Sequence, residues 1–401
     1  MPLVPKCDCF VVVGEPSGDA YGAAVVKRLL AANPNLVVAA MGGEALREAG
    51  AEIEQGIDGL AVMGLFPVLK RLPEFIELGK RMKAIIRARR PKVVLTIDYP
   101  GFNFRLVKGL KDLRHAGTRF VHVVAPQVWA WRPRRAKRYA QGFDRLLCFF
   151  PFEPPFFVRH GGCAEFVGHP LVDLVDEDLD VARALARRGD GERLLLLAPG
   201  SREREVATLL PVMDAAVRRV LPILRRTGPV RVVIAKSPNL SHALYRGVTD
   251  FPAVDGGYRG LCAGAHLGVI ASGTATLEAA LLGLPLCICY RGDPVSARLV
   301  MNLIKTKHVG LPNIVHGRRV VPELIQDELT EERLAARIVG LWDGPRRDDV
   351  VATLAQTRAL LGGGGAMDRI AEAVVAEIER GQRRADTMDS HAHAPSPAPL
   401  G

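Results

Sequence analysis

The sequence predicts an α/β protein made of two Rossmann-like domains facing a cleft, followed by C-terminal helices. Three observations carry this. Short β-rich runs alternate with amphipathic or Ala/Leu-rich segments, the rhythm of a parallel, doubly wound sheet. That rhythm breaks near 169–192, where HPLVDLVDEDLD is acidic and ARRGDGER reads as a surface turn, and then starts again. Each half opens with a strand that runs into a Gly-containing loop. The expected domains are 1–170 and 171–345. Helices follow over 346–382, with packing back onto the first domain as one option, and then a disordered Ala/Pro/His-rich tail over 383–401.

In the first half, CFVVVG (9–14) is a strand and AYGAAVVKRLLAAN (20–33) a helix with Asp19 as its N-cap. LVVAAMGG (36–43), KVVLTID (92–98), RFVHVVAP (119–126) and RLLCFFP (145–151) are further strands. The helical NFRLVKGLKDLRHAG ends on Gly117 as a C-cap. The second half repeats the pattern with RLLLLAPG (193–200), a helix over 205–226, VRVVIAKS (230–237), LGVIA (267–271), TLEAALLG (276–283) and LCICYR (286–291). A helical stretch runs from 330 to 381.

Composition sets the class. A chain of 401 residues, 48% hydrophobic and 24% charged, is globular rather than disordered. Its seven cysteines are odd in number and form no CxxC pair. Cys7/Cys9 and Cys287/Cys289 sit in apolar runs, so buried free thiols in a reducing cytoplasm are expected. The N-terminal MPLVPKCDCFVVVG lacks the regions of a signal peptide. The uncharged stretch 260–277 is long enough to suggest a membrane span. Gly, Ser, Thr and His interrupt it and Glu278 follows, so a strand, a loop and a helix start are expected instead.

The net charge of +11 is localised. Residues 70–92 hold nine Lys/Arg against Glu74 and Glu77, and RPRRAKR (132–138) holds five more, which leaves the remainder near neutral. A basic face suggests a polyanionic partner, whether nucleic acid, anionic lipid or a phosphorylated substrate; a merely solvated helix face is the alternative.

Four loops carry candidate chemistry. IDYPG places Asp98 at the end of an apolar strand before a Pro100-Gly101 corner, either as a simple turn former or as a general base at the carboxyl edge of the sheet. GEPSGDAYGA (14–23) has a strand–loop–helix setting without GxGxxG spacing; Gly14 and Gly18 permit tight turns, and Glu15 and Ser17 face the same edge. In LAPGSREREV (197–206), Gly200-Ser201 precedes a helix whose N–H groups can hold a phosphate, and Arg202 adds a charge. No Walker signature is present. In ASGTATLEAALLG (271–283), Ser272, Gly273 and Thr274 form a second cradle, and Glu278 is placed to take ribose hydroxyls or is a surface residue.

Other segments divide similarly. Trp129 and Trp131 stand beside the basic run, either to stack on bases or to pack a wall. Asp176 to Asp178 lies in a polar connector rather than at a strand end, so no metal site is expected. Leu65, Val68, Leu69, Leu72 and Ile76 form an apolar stripe, widened by Phe66 and Phe75 and edged by cations. Such a stripe suits an anionic membrane interface or a core-facing helix.

Together these stretches resemble the lipid-A-disaccharide synthase family. The shared marks, in order from 10 to 330, are GEPSGD, LAVMGL, IDYPGFNFRL, VWAWR, FPFE, EFVGHPL, PGSREREV, SGTATLEAALLG, GLPN and VVPELIQ. The resemblance implies an inverting GT-B glycosyltransferase. It would join UDP-2,3-diacylglucosamine to 2,3-diacylglucosamine 1-phosphate, giving the β-1,6-linked disaccharide 1-phosphate and UDP. It implies no cofactor, no metal and no nucleic acid, a peripheral place on the cytoplasmic face of the inner membrane, and a homodimer. Residue by residue it implies Asp98 as base with Glu15 and Ser17 beside it, and Ser201, Arg202, Gly273, Thr274, Glu278 and Asn313 on UDP. Leu65, Phe66, Val68, Leu69, Leu72 and Ile76 would lie on lipid. The sequence departs from the family at Pro16, where Ala is frequent, at Gly101, where an acidic residue is frequent, and at Gln127, where Ser is common. Two other readings stand beside this one: another GT-B enzyme on a UDP-sugar (a lipid-linked sugar transferase or an epimerase), and a non-catalytic basic nucleic-acid binder.

Overall fold

The computed structural model describes residues 5–59, 71–131, 133–177, 191–292 and 306–392. The chain forms two compact units, Met1–Gly168 with Gly365–Gly401, and His169–Gly364. Unit 1 carries β1 (Cys9–Val12), β2 (Val38–Gly42), β3 (Glu52–Gly56), β4 (Val93–Ile97), β5 (Arg119–Val123), β6 (Arg145–Cys148) and β7 (Ala164–Phe166). All pair in parallel in the order β3-β2-β1-β4-β5-β6-β7. Unit 2 carries β8 (Arg193–Ala198), β9 (Val230–Lys236), β10 (Ala253–Asp255), β11 (Leu267–Ala271), β12 (Leu286–Tyr290) and β13 (Glu323–Ile325), parallel in the order β10-β9-β8-β11-β12-β13.

Both sheets are doubly wound, and each reverses its strand order once: between β1 and β4, and between β8 and β11. At such a reversal the outgoing loops diverge to opposite faces and leave a crevice outside the carboxyl ends. The inner strands are apolar on both sides because helices cover both faces; every residue of β1, β4 and β11 is buried.

Several local expectations are corrected. The first helix is Pro16–Ala32, starting earlier because Pro16 is preorganised for the first helical positions. Asp19 is inside that helix, and its carboxylate accepts from Gly43 N at 2.6 Å and Ala45 N at 3.0 Å, so it holds the start of the helix Glu44–Glu48 instead. The segment from Pro100 to Gly117 is two helices, Pro100–Lys108 and Lys111–His115, broken at Gly109. The stretch 260–277 comprises the end of the helix Tyr258–Gly264, β11 and the start of the helix Thr274–Leu281. Among the described residues no helix is long and apolar enough to cross a membrane.

The helical C-terminus is shared between the units. Helices Glu331–Trp342, Pro345–Leu354 and Thr357–Leu360 lie in unit 2, and Ala366–Ala392 lies in unit 1. This last helix buries Ile370, Val374 and Ile378. Its Glu377 is fully enclosed and takes Arg119 at 2.7 Å, Arg145 at 3.5 Å and Arg380 at 2.5 Å. A buried carboxylate ringed by guanidinium groups is strongly favoured over one left alone, so the helix is fixed by charge as well as by apolar burial. The helix continues to Ala392, into the stretch expected to be disordered, since no proline interrupts it before Pro395.

All seven cysteines are unpaired and six are buried, with Cys163 exposed. Five cations of the first basic segment are paired within unit 1. Arg71 pairs with Glu74, Lys80 with Glu77, Arg87 with Asp112, Lys92 with Asp8, and buried Arg89 with Glu52 and Glu54. Arg138 lies over the Phe104 ring at 5.2 Å. Asp8, Glu52, Glu54 and Asp112 thus offset part of the charge of 70–92 from outside that segment. Arg134, Arg135, Lys137 and Arg138 form no ion pair among the described residues, so the second basic run keeps its charge.

Candidate active site

The loops that leave β1 and β4 flank the strand-order reversal of unit 1. Beyond Ile97 the backbone turns through Asp98 and Tyr99, both left-handed at φ 49°. Val124, beyond β5, is left-handed as well at φ 68°. Such conformations are disfavoured by roughly 1–2 kcal/mol each for residues with a Cβ, and persist only where neighbours over-determine them. Here Asp98 N donates to Val123 O at 3.0 Å, and the amide of fully buried Asn103 donates to Asp98 O at 2.7 Å. The Tyr99 ring lies over Gly14, where a Cβ would come within 2.8 Å of it. Gly14 is thus required by close approach.

This corner leaves the Asp98 carboxylate half-buried and without a cationic partner among the described residues. Burial raises its pKa, opposed by a hydrogen bond from the Tyr99 backbone N–H. Glu15 is close enough for its charge to push the Tyr99 phenol upward, after burial of that ring. Ser17 is exposed in the first turn of the helix Pro16–Ala32.

Two further loops complete the edge. Trp129 donates its Nε1–H to Glu153 Oε1 at 2.9 Å and stands edge-on to Phe152 at 4.8 Å. Glu153 is 2% exposed and also accepts from Phe150 N at 3.1 Å. Burial pushes its pKa up to about 7 against these hydrogen bonds. The indole is therefore a fixed wall tying the loop after β5 to the loop after β6.

In unit 2 the loops after β8 and β11 flank the corresponding reversal. Gly200 (φ 119°) and Gly273 (φ 155°) adopt backbone angles that residues with a side chain rarely take. Ser201 N donates to Glu205 Oε2 at 3.0 Å, and Arg202 Nη1 donates to Glu205 Oε1 at 2.6 Å. The helix-start cradle expected to be open to a phosphate is engaged by its own carboxylate. Glu278 is neither exposed nor unpaired, because Arg259 Nε donates to its Oε2 at 2.8 Å. Thr274 is exposed at the start of the helix Thr274–Leu281.

Asn313 is fully enclosed. Its amide donates to Val321 O and Glu323 Oε1 and accepts from the N–H groups of Val320 and Val321, all between 2.7 and 3.0 Å. Every polar position of the side chain is engaged, so it knots the loop around 310–321 instead of facing a ligand. Of the apolar stripe, Leu72 and Ile76 are exposed on the helix Leu72–Arg89, at 36% and 52%. Leu65, Phe66, Val68 and Leu69 lie outside the described residues.

The sequence reading missed Tyr99, Asn103, Glu153 and Glu205 as site-building residues. All four lie inside the quoted stretches IDYPGFNFRL, FPFE and PGSREREV, but their partners are non-local or depend on loop conformation.

A family model described as lipid-A-disaccharide synthetase matches residues 9–360. The chain belongs to this family. It is 37% identical over 381 residues to the lipid-A-disaccharide synthase of Geobacter metallireducens, covering 94% of this chain and 98% of that protein. It is 38% identical over 342 residues to that of Azotobacter vinelandii, covering 83% and 89%. Among solved structures it is similar to a UDP-GlcNAc 2-epimerase of Neisseria meningitidis bound to UDP-GlcNAc (TM-score 0.62, 13% identity, 92% and 100% covered). It is also similar to the calicheamicin glycosyltransferase (0.60, 14%, 94% and 99%). Those two likenesses carry the GT-B fold alone. Membership of the lipid-A-disaccharide synthase family makes the chain a glycosyltransferase.

Proposed function

We propose that this synthase-family chain joins UDP-2,3-diacylglucosamine to 2,3-diacylglucosamine 1-phosphate by inverting single displacement, releasing UDP. The observation that carries the mechanism is Asp98: a half-buried carboxylate, without a cationic partner among the described residues, on a strained corner at a strand-order reversal. An acceptor hydroxyl is a poor nucleophile at neutral pH. A carboxylate whose pKa is raised by burial accepts its proton more readily as the new bond to the anomeric carbon forms. The α-linked donor then gives a β-linked product.

Unit 2 has the complementary chemistry. The two Glu205 oxygens, on Ser201 N and Arg202, stand where two oxygens of a diphosphate would sit, so UDP would displace this carboxylate. Arg202 and the helix starts after Gly200 and Gly273 would then offset the charge growing on the leaving group. Glu278, oriented by Arg259, would take a ribose hydroxyl. Asn313 acts as a positioning residue.

Exposed Leu72 and Ile76, one helical turn apart beside Lys80, support docking at an anionic inner-membrane surface. A homodimer would be read from the solution mass. The decisive experiment is mass spectrometry of products from purified protein supplied with both acylated sugars. A disaccharide 1-phosphate accompanied by stoichiometric UDP is expected. UDP release without disaccharide, or no reaction, overturns the assignment.

A further inference from the structure

In unit 1 the helices Leu72–Arg89 and Pro100–Lys108 pack together and enclose a groove of about 530 Å³. Its walls include Phe75, Ile76, Phe102 and Leu106, and Tyr99, adjacent to Asp98, belongs to the same lining. Two glycines face it, one from each helix. A Cβ on Gly101 would meet nothing within 4 Å, and one on Gly79 would meet only Phe102, at 3.8 Å. A side chain at either position would therefore extend into open space along the groove lining.

The charges on this groove are of one sign. Lys80 is paired with Glu77, but Lys83 and Arg105 have no carboxylate partner among the described residues. Apolar aromatic walls beside two unpaired cations match an amphiphile with an anionic head. A peptide would bring amide groups that such walls leave unsatisfied, whereas an alkyl chain brings none. Tyr99 joins the groove to the strained corner that carries Asp98, so a chain lying here leaves its head close to the reacting end of unit 1.

We propose that this groove holds one acyl chain of the phosphate-bearing acceptor, with Lys83 and Arg105 on the phosphate and Gly79 and Gly101 leaving room along its lining. The assignment rests on the acceptor named above. It differs from membrane docking in that the chain is taken up by one protein molecule, out of the bilayer.

The test is calorimetric titration of the full-length chain with octyl and decyl phosphate below their micelle concentrations, with no vesicles and no donor. Each added methylene is expected to tighten binding about fourfold. Gly101→Leu and, separately, Gly79→Leu fill the groove and should remove this chain-length dependence without lowering the melting temperature. The double variant Lys83→Ala/Arg105→Ala should keep the chain-length dependence and lose the preference for decyl phosphate over neutral decyl glucoside. Alkyl phosphate binding that is unchanged in both glycine variants, or that is seen only with anionic vesicles, overturns the proposal. The titration needs no turnover. Failure to form disaccharide with decyl phosphate binding intact would count against the activity alone, and normal product without binding would count against the groove alone.

Discussion

The two strand-order reversals use carboxylates in opposite ways. In unit 1, Asp98 stands half-buried on a left-handed corner with no cation beside it among the described residues, and its proton affinity is raised. In unit 2, Glu205 and Glu278 are each bound by an arginine, at 2.6 and 2.8 Å. The same fold and the same position relative to the sheet thus give a carboxylate of raised proton affinity in one unit and charge-compensated ones in the other. The difference lies in the loop. The proposed base sits on a strained corner with no neighbouring arginine among the described residues, and the proposed diphosphate cradle on a helix start with an arginine at its cap.

The largest effect should come from removing the unpaired carboxylate. Asp98→Ala is expected to lower turnover roughly 10²–10⁴-fold while leaving UDP affinity unchanged, measured by UDP release and UDP titration. A base at Asp98 must be ionised to act, so on this proposal kcat/KM should fall as pH drops through its raised pKa. That acidic limb should lie above the ordinary carboxylate value of 3.8 and disappear in the variant.

Glu153 sharpens the comparison within unit 1, since it is buried and held by neutral donors. Its folded pKa of about 7 exceeds its ordinary value of 4.5, so between these limits the native state binds the extra proton. Stability should be greatest below pH 4.5 as far as this group is concerned, and should decline as pH rises through about 7, by about 3 kcal/mol. Melting temperature against pH checks this, and Glu153→Gln should flatten the slope.

Smaller effects belong to unit 2. Arg202→Ala should weaken UDP binding roughly 10- to 100-fold, the range for a lost hydrogen bond to a charged group, with turnover at saturating donor less affected. Glu205→Gln should have the opposite sign. By releasing Arg202 and Ser201 N it should tighten UDP binding a few-fold, of the order of 1 kcal/mol or less for an exposed pair. Equal loss of UDP affinity in both variants would break the account of Glu205 as a stand-in for a phosphate.

What was legible in the sequence has a clear physical boundary. The inner strands β1, β2, β4, β5, β6, β8, β9, β11 and β12 all fall in the apolar runs read as strands. The four strands left unread, β3, β7, β10 and β13, are the four sheet edges. An edge strand is covered on fewer sides, so its sequence need not be a continuous apolar run. EIEQG in β3 alternates exposed and half-buried residues, and AEF in β7 is half-buried throughout. The candidate site shows the same division. Asp98, Ser201, Arg202 and Glu278 were visible as polar residues at the ends of apolar runs. Asn103, Glu153 and Glu205 were not, because their significance lies in what they touch. Asn313 was visible, but not that it knots its own loop, since its four partners lie seven to ten residues away.

By itself the sequence determined the βα grammar, the repeat of that grammar in two halves and which loops carry polar residues at strand ends, because apolar periodicity and glycine placement act within a few residues of chain. Only the tertiary structure decided the order of the strands, and hence that the loops after β1 and β4 and after β8 and β11 flank the two reversals. It also decided that Glu377 closes on Arg119 from 258 residues away, fixing the last helix to the first unit. Strand order and buried ion pairs depend on contacts between distant segments, and no local pattern of residues encodes them.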